Sequence, residues 1–476
     1  MTGTMAAAPP CFRPPPLTPE QKASWITLAQ KACQETVRNA MTMDARPIDS
    51  VVTNPRTHRR ARLRKGADAT NPALEGVSAY TQLRATLSEI AAFFDSSGTT
   101  PSQAKAYARV LGDAVLDRQT LYRLVDRPTA SQRRGGKVDH SISVEWAVWG
   151  APLGFAPRDA VFLDCQDEFL FCEEASGRQR RGWIRAIHSI DVPGCGDLWS
   201  THRIRRVHVY RSGHVFVEAH EEGMLDCYHV LVASAPSLRM PKVVQAKLMK
   251  AHVAQVLHLE EHLIVHRMLA LERRRPRSTL SDAKQRTICG LCDARFGFFA
   301  PRHGACRVCR QAVCKPCSQE WRTGDSLDGT VTLCLACADT LVEENIQEMP
   351  RGAKDVSPGD TSPPVVRRAS YAEHQRHDRQ RNAAPDGTFT FLSSTRSMRH
   401  TVLDAEALDD VTKMTKDWQV IGAATKRSAL ATDELPSMTG LHHSYATVDE
   451  DDLDAALDDV VRFMLETPLQ ARYPET

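Results

Sequence analysis

The chain has 476 residues, of which 42% are hydrophobic and 25% charged, and its formal net charge is only +3. The length suggests about two to four domains and the apolar share at least one substantial core, while the near-neutral balance argues against a general nucleic-acid binder. No apolar run approaches the ~18 residues of a membrane-spanning helix and no signal peptide is read, so the chain is expected to be cytoplasmic, with any membrane contact peripheral.

Residues 1–16 are rich in Ala and Pro and read as a disordered N-terminus. A helix follows: Thr18 can cap it, Pro19 takes the first helical position and Gln21 completes a capping box. Trp25, Leu28, Ala29 and Ala32 form its apolar face. Arg56, Arg59, Arg60, Arg62, Arg64 and Lys65 make a basic cluster, read as charged strand edges ahead of a phosphate site or nuclear signal. Val77 to Leu83 is strand-like. Thr86 and Glu89 announce a second helix with Ile90, Phe93 and Phe94 on its buried side, and a further short helix is expected near Pro101.

From Val138 the period changes to two. Ile142, Val144, Trp146 and Val148 alternate with Ser143, Glu145 and Ala147, as a half-buried strand does. Strands are expected at Ala160 to Cys172, Gly182 to Ile190, around Val207 and Val209, from Val215, and at Leu225 to Val232. Ser212-Gly213 reads as a hairpin turn. A long helix is then expected from about Pro241 to Leu271, its apolar band running through Met249, Val253, Val256, Leu257, Leu263, Ile264 and Met268.

That element order over residues 17–271, with details such as Gly182-Trp183, resembles the START-like, helix-grip architecture. The resemblance implies an α+β fold in which an antiparallel sheet grips a long C-terminal helix. It also implies an apolar cavity between them for a hydrophobic ligand such as a lipid tail or sterol. A filled core with no ligand is the alternative. No nucleophile elbow, metalloprotease helix or phosphate loop is present, so the chain is not expected to be an enzyme. His188, His208, His214 and His229 read as ordinary strand residues, and Cys165, Cys172, Cys195 and Cys227 as plain thiols.

A basic linker, 272–284, carries Arg273 to Arg275. Beyond it four Cys-x-x-Cys pairs fall within 49 residues: Cys289/Cys292, Cys306/Cys309, Cys314/Cys317 and Cys334/Cys337. Each pair sets two thiolates on one side of a tight turn, so the four pairs supply two four-sulfur sets. Soft, tetrahedral, all-sulfur sites select zinc or an iron–sulfur cluster, and two zinc ions use every ligand. The gaps between consecutive cysteines are 2, 13, 2, 4, 2, 16 and 2.

This spacing resembles the FYVE/PHD class of cross-brace zinc fingers, closer to FYVE, over residues 285–345. The resemblance implies that Cys289, Cys292, Cys314 and Cys317 share one zinc, and Cys306, Cys309, Cys334 and Cys337 the other. Members that bind phosphatidylinositol 3-phosphate carry R-[RK]-H-H-C-R at the third cysteine. Here Arg302 and Arg307 match, His303 takes the second place, and Gly304 and Ala305 replace the two histidines. The family's W-x-x-D motif is Leu280 and Ala283 here, and its R-V-C motif is Thr332-Leu333-Cys334. Phe298 and Phe299 fall in the loop such fingers insert into bilayers, though they could instead fill a small core. Weak, poorly selective binding to anionic membrane through Phe298, Phe299, Arg302, His303 and Arg307 is therefore expected.

Residues 346–476 read as a mostly disordered tail with a weak kinase motif at Ser370. A short amphipathic helix is expected at 448–466, fit for a protein partner. Together these features describe a zinc-binding, lipid-binding adaptor, peripheral on endosomal membranes. The alternative is a protein-interaction scaffold whose finger binds a protein and whose START-like domain is structural.

Overall fold

The computed structural model describes residues 12–95, 115–134, 138–150, 156–173, 176–234, 242–274, 287–297, 302–322, 330–343 and 387–393. Helix α1 (Pro19–Asp44) begins where its capping box places it. The Thr18 hydroxyl accepts from the Gln21 N–H at 3.2 Å, and the Gln21 side chain accepts from the Thr18 N–H at 3.0 Å. Its inner face is built from small residues, Ala29, Cys33, Val37 and Ala40, which let it sit close against a sheet.

The strands are β1 (Ser50–Thr53), β2 (Arg60–Ala67), β3 (Glu75–Arg84), β4 (Val115–Val125), β5 (Ser141–Trp149), β6 (Arg158–Glu173), β7 (Gln179–Ser189), β8 (Arg205–Arg206), β9 (His208–Val209), β10 (Ser212–Glu218) and β11 (Met224–Ser234). Helix α2 (Leu87–Phe93) starts at the Thr86/Glu89 capping box. Two short helices, α3 (Ala130–Arg134) and α4 (Trp199–His202), lie in connections. The main sheet runs β1-β2-β3-β11-β10-β7-β6-β5-β4, with every neighbouring pair antiparallel.

Side-chain alternation gives this sheet two apolar faces. One carries Tyr80, Val144, Trp146, Leu163, Ile184, Val215 and Val230 under α1. The other carries Ala61, Leu63, Val77, Ala79 and Leu231 under the C-terminal helical stretch. Beside them, Leu83, Trp183, Phe216 and Cys227 lie under Ile90 and Phe94.

The expected long helix is present but interrupted. It consists of α5 (Lys242–Ala254), a 3-10 turn (Gln255–Leu257) and α6 (His258–Arg274). Val253, Val256 and Leu257 lie directly on the sheet, whereas Ile264, Val265 and Met268 enter the core of the cysteine-rich segment. The stretch therefore serves two partners in succession. The helix that spans the sheet most widely is α1, which meets β2, β3, β4, β6, β7, β10 and β11.

Other expectations need correcting. Residues 12–16 are ordered: Phe12 packs edge-on against Trp146 at 5.2 Å and exchanges hydrogen bonds with the Gln119 side chain. Burying one aromatic ring fixes this segment despite its proline-rich composition. Ser212-Gly213 is not a turn but the start of β10. A Cβ on Gly213 would stand 1.9 Å from the Arg185 carbonyl oxygen, so glycine is required there by the neighbouring strand. The first residues of the supposed linker continue α6 to Arg274. Within the basic cluster, Arg60, Arg62, Arg64 and Lys65 lie on strand β2 as expected, while Arg56 and Arg59 seat α6: Arg56 pairs with Glu261 at 2.7 Å and Arg59 with Glu260 at 2.5 Å. Arg64 pairs with Asp44, and Lys65 with Asp49 at 3.1 Å. One stretch of the tail is also structured, since Gly387–Phe391 pairs with β6. The helices expected near Pro101 and at 448–466, and Ser370, lie outside the described residues.

Candidate metal centre

The cysteine-rich segment folds as two short hairpins and a helix. These are β12 (Arg302–Ala305) with β13 (Ala312–Cys314), β14 (Ser318–Arg322) with β15 (Thr330–Cys334), and α7 (Leu335–Glu343). Two of the Cys-x-x-Cys turns share one backbone design. The Cys289 carbonyl accepts from the Asp293 N–H at 3.0 Å, and the Cys306 carbonyl from the Arg310 N–H at 2.8 Å. The donor residue is left-handed in each, φ 56° at Asp293 and 61° at Arg310. Cys289 and Cys306 in turn donate to the Ala294 and Gln311 carbonyls. This closes a tight loop with both sulfurs on its inner side.

The turns assemble in alternation. The sulfurs of Cys289, Cys292, Cys314 and Cys317 lie within 4.8 Å of one another, as do those of Cys306, Cys309, Cys334 and Cys337. The Cys292–Cys314 and Cys309–Cys334 Sγ separations are both 3.8 Å. A zinc tetrahedron with Zn–S of about 2.3 Å has an edge of about 3.8 Å, whereas a disulfide would hold sulfurs at about 2.05 Å. These are two cross-braced zinc sites, with the ligand sets expected. Zinc supplies the folding energy of such small domains, and here Val313, Trp321, Leu333 and Leu341 add an apolar core.

Of the expected membrane residues, Phe298 and Phe299 lie outside the described residues. Arg302 and His303 sit in β12, with Arg302 opposite Cys314 in register. Arg307 is exposed, and its guanidinium is engaged by the Glu272 carboxylate from the last turn of α6. Two exposed apolar residues missed in the sequence, Ile288 at 42% and Leu291 at 40%, flank Cys289. Isolated apolar residues carry no periodic signal, so nothing in the pattern marked them.

The finger is built onto the sheet domain rather than hung from it. Arg267 of α6 is 2% exposed. It donates to Glu89 at 2.9 and 3.1 Å, to the Arg84 carbonyl at 2.8 Å, and to the carbonyls of Leu341 and Val342 at the end of α7 at 2.8 and 3.2 Å. One guanidinium thus fastens β3, α2 and the finger's helix together, in the fork geometry that suits Arg. Gln319 of β14 adds a hydrogen bond to the Arg56 carbonyl at 3.3 Å.

The sheet domain holds a second polar grouping. On the face shared with α2 and α5, Arg185 binds Asp164 at 2.7 Å, and Arg118 reaches Glu145 at 3.1 Å and Asp164 at 3.5 Å. His214 stacks on His229 at 3.9 Å, and burial, then His214 and His252, push the His229 pKa well below its ordinary value. The Trp183 Nε1 and Gln255 Nε2 atoms are buried without a hydrogen-bond partner among the described residues. These charged groups interrupt a sheet face whose apolar part is Leu83, Trp183, Phe216 and Cys227. The sequence reading gives only the bounds of these strands and does not single out Arg185 or Asp164, because their pairing joins residues on two different strands.

No described helix is long and apolar enough to cross a membrane. The chain matches the FYVE zinc finger family over residues 279–343, and comparison with curated proteins gives no match. Among solved structures, the lipid transfer and protein localization domain of human StarD13 is similar at 10% identity and TM-score 0.28, over 47% of this chain and 93% of that one. Human STARD10 follows at 11% and 0.27, over 51% and 81%. A STAR-related lipid transfer protein fragment from Xanthomonas axonopodis gives 13% and 0.27, over 44% and 95%.

Proposed function

We propose that the chain is a peripheral membrane adaptor and not an enzyme: a zinc finger of FYVE type that meets anionic lipid, held in fixed relation to a sheet domain that takes a hydrophobic ligand. The observation that carries this reading is the pair of complete four-cysteine sites inside the segment that matches FYVE fingers. Exposed Ile288, Leu291 and Arg307 supply apolar and cationic contacts of the kind an interfacial anchor uses. The missing histidines and the Thr332-Leu333 substitution leave few donors for a phosphate, and each lost charged hydrogen bond costs about 1.5–3 kcal/mol. Headgroup selectivity is therefore weak. In the sheet domain, Arg185, Asp164 and the Trp183 Nε1 group would orient the polar end of a ligand.

The test is flotation of the full chain with neutral vesicles, anionic vesicles, and anionic vesicles containing phosphatidylinositol 3-phosphate. Binding to both anionic sets, reduced by Arg307→Ala, supports the reading. Tight binding only with phosphatidylinositol 3-phosphate would refute the degenerate headgroup site. A second reading, a protein-binding finger on a structural sheet domain, draws support from the engagement of Arg307 by Glu272. Absence of flotation on every vesicle would favour it, and native mass spectrometry would report any lipid carried by the sheet domain.

A further inference from the structure

Strand β6 outruns its neighbour β5, which pairs with it only from Arg158 to Gln166. Beyond that point one edge of β6 is left to another partner, β16 (Gly387–Phe391), which runs antiparallel with Gly387 opposite Glu173 and Phe391 opposite Phe169. Phe391 is 5% exposed and packs on Phe169 with ring centroids 5.6 Å apart, and Phe389 joins the same core. Two residues past the strand, the Ser393 hydroxyl donates to the Asp167 carboxylate, itself 1% exposed. The other Asp167 oxygen accepts from the Glu168 N–H at 2.9 Å and lies 3.5 Å from His140 Nδ1.

We propose that Ser393 is a phosphorylation site and that its modification ejects β16 from the sheet. The seat accepts a hydroxyl because a hydroxyl can donate to a carboxylate. A phosphoserine brings a charge of about −1.5 to −2 against a buried carboxylate, with like-charge repulsion and desolvation both unfavourable. The modifying step is phosphoryl transfer from ATP by a serine/threonine kinase. The Ser393 Oγ–P bond forms, the bond from Pγ to the ADP oxygen breaks, and the hydroxyl proton passes to the kinase's base. Ser393 is partly buried when seated, so the kinase acts on a locally opened strand. Arg396 and Arg399 downstream give it cationic residues to read. Ejection bares the backbone edge of residues 169–173, the kind of edge that accepts an extended segment of another polypeptide.

The experiment uses the full chain with Phe391→Asp, which vacates the edge, and fluorescent peptides spanning 384–396 with Ser393 either free or phosphorylated. The free peptide is expected to bind, and the phosphopeptide to bind about tenfold more weakly or worse. Adding Asp167→Asn to the full chain should recover much of that loss. Equal affinity of the two peptides, or no recovery with Asp167→Asn, overturns the proposal. As a measurement free of that variant, hydrogen exchange should show residues 389–391 protected in the wild type and in Ser393→Ala, but not in Ser393→Glu. Free exchange in the wild type, or retained protection in Ser393→Glu, would equally overturn it.

Discussion

His188, on β7, shows how one buried base sets a pH response. Its Nδ1 accepts from the Arg211 N–H at 3.4 Å, and its ring meets Tyr210 at 5.7 Å. Burial first, and then the Arg211 charge, lower its pKa to about 4. The unfolded chain takes up that proton near pH ~6.5, so between the two values it binds more protons than the folded chain. Stability from this group is complete above about pH 6.5 and is lost as pH falls toward 4, by on the order of 2–3 kcal/mol. Urea titrations from pH 7.5 to 4.5 should show a steeper loss for wild type than for His188→Gln. Parallel curves would exclude His188 as a source. At the metal sites, Cys314→Ser removes a buried ligand from one tetrad and leaves the other intact. Native mass spectrometry should then report one zinc in place of two.

Among the elements, α6 carries the largest consequence. Arg267→Met should leave the half-buried Glu89 with only its Thr86 donors and the end of α7 without the guanidinium. Breaking such a pair costs about 3–5 kcal/mol. Although burial works against it, the Arg267 interaction holds the Glu89 pKa below its ordinary value, so that stabilisation is present at neutral pH. It is lost as pH falls through the depressed Glu89 value, and Glu89→Gln should flatten that acid limb in denaturation curves. Local chemistry made much of the fold legible. The Thr18 and Thr86 capping boxes act within three residues of their partners, and the cysteine gaps carry the resemblance to cross-brace fingers that implied the ligand sets the structure brings together. Arg267 was illegible because its partners Glu89 and Leu341 lie 178 and 74 positions away. The strands carrying Arg185 and Asp164 were legible, but the pairing of these two side chains across β6 and β7 was not. The Thr-Phe-Thr-Phe alternation of β16 was hidden by the polar composition around it.

At the scale of the whole molecule, the finger's core includes Ile264, Val265 and Met268 from α6. A fragment beginning at residue 276 lacks them, and fully burying such side chains contributes about 1.5–3 kcal/mol each. It should therefore melt lower and bind zinc more weakly than one beginning at 258, with equal behaviour counting against a shared core. The joint at Arg267 makes the sheet domain answerable to metal supply. A ligand that binds only the folded state stabilises it by RT ln(1 + [L]/Kd), about 2.7 kcal/mol at a hundredfold excess over the dissociation constant. Through α6 part of that free energy reaches β3 and α2, which touch no sulfur. The melting midpoint of the large sheet, followed by circular dichroism, should then slide with the logarithm of free zinc activity, making the sheet a reporter of zinc scarcity.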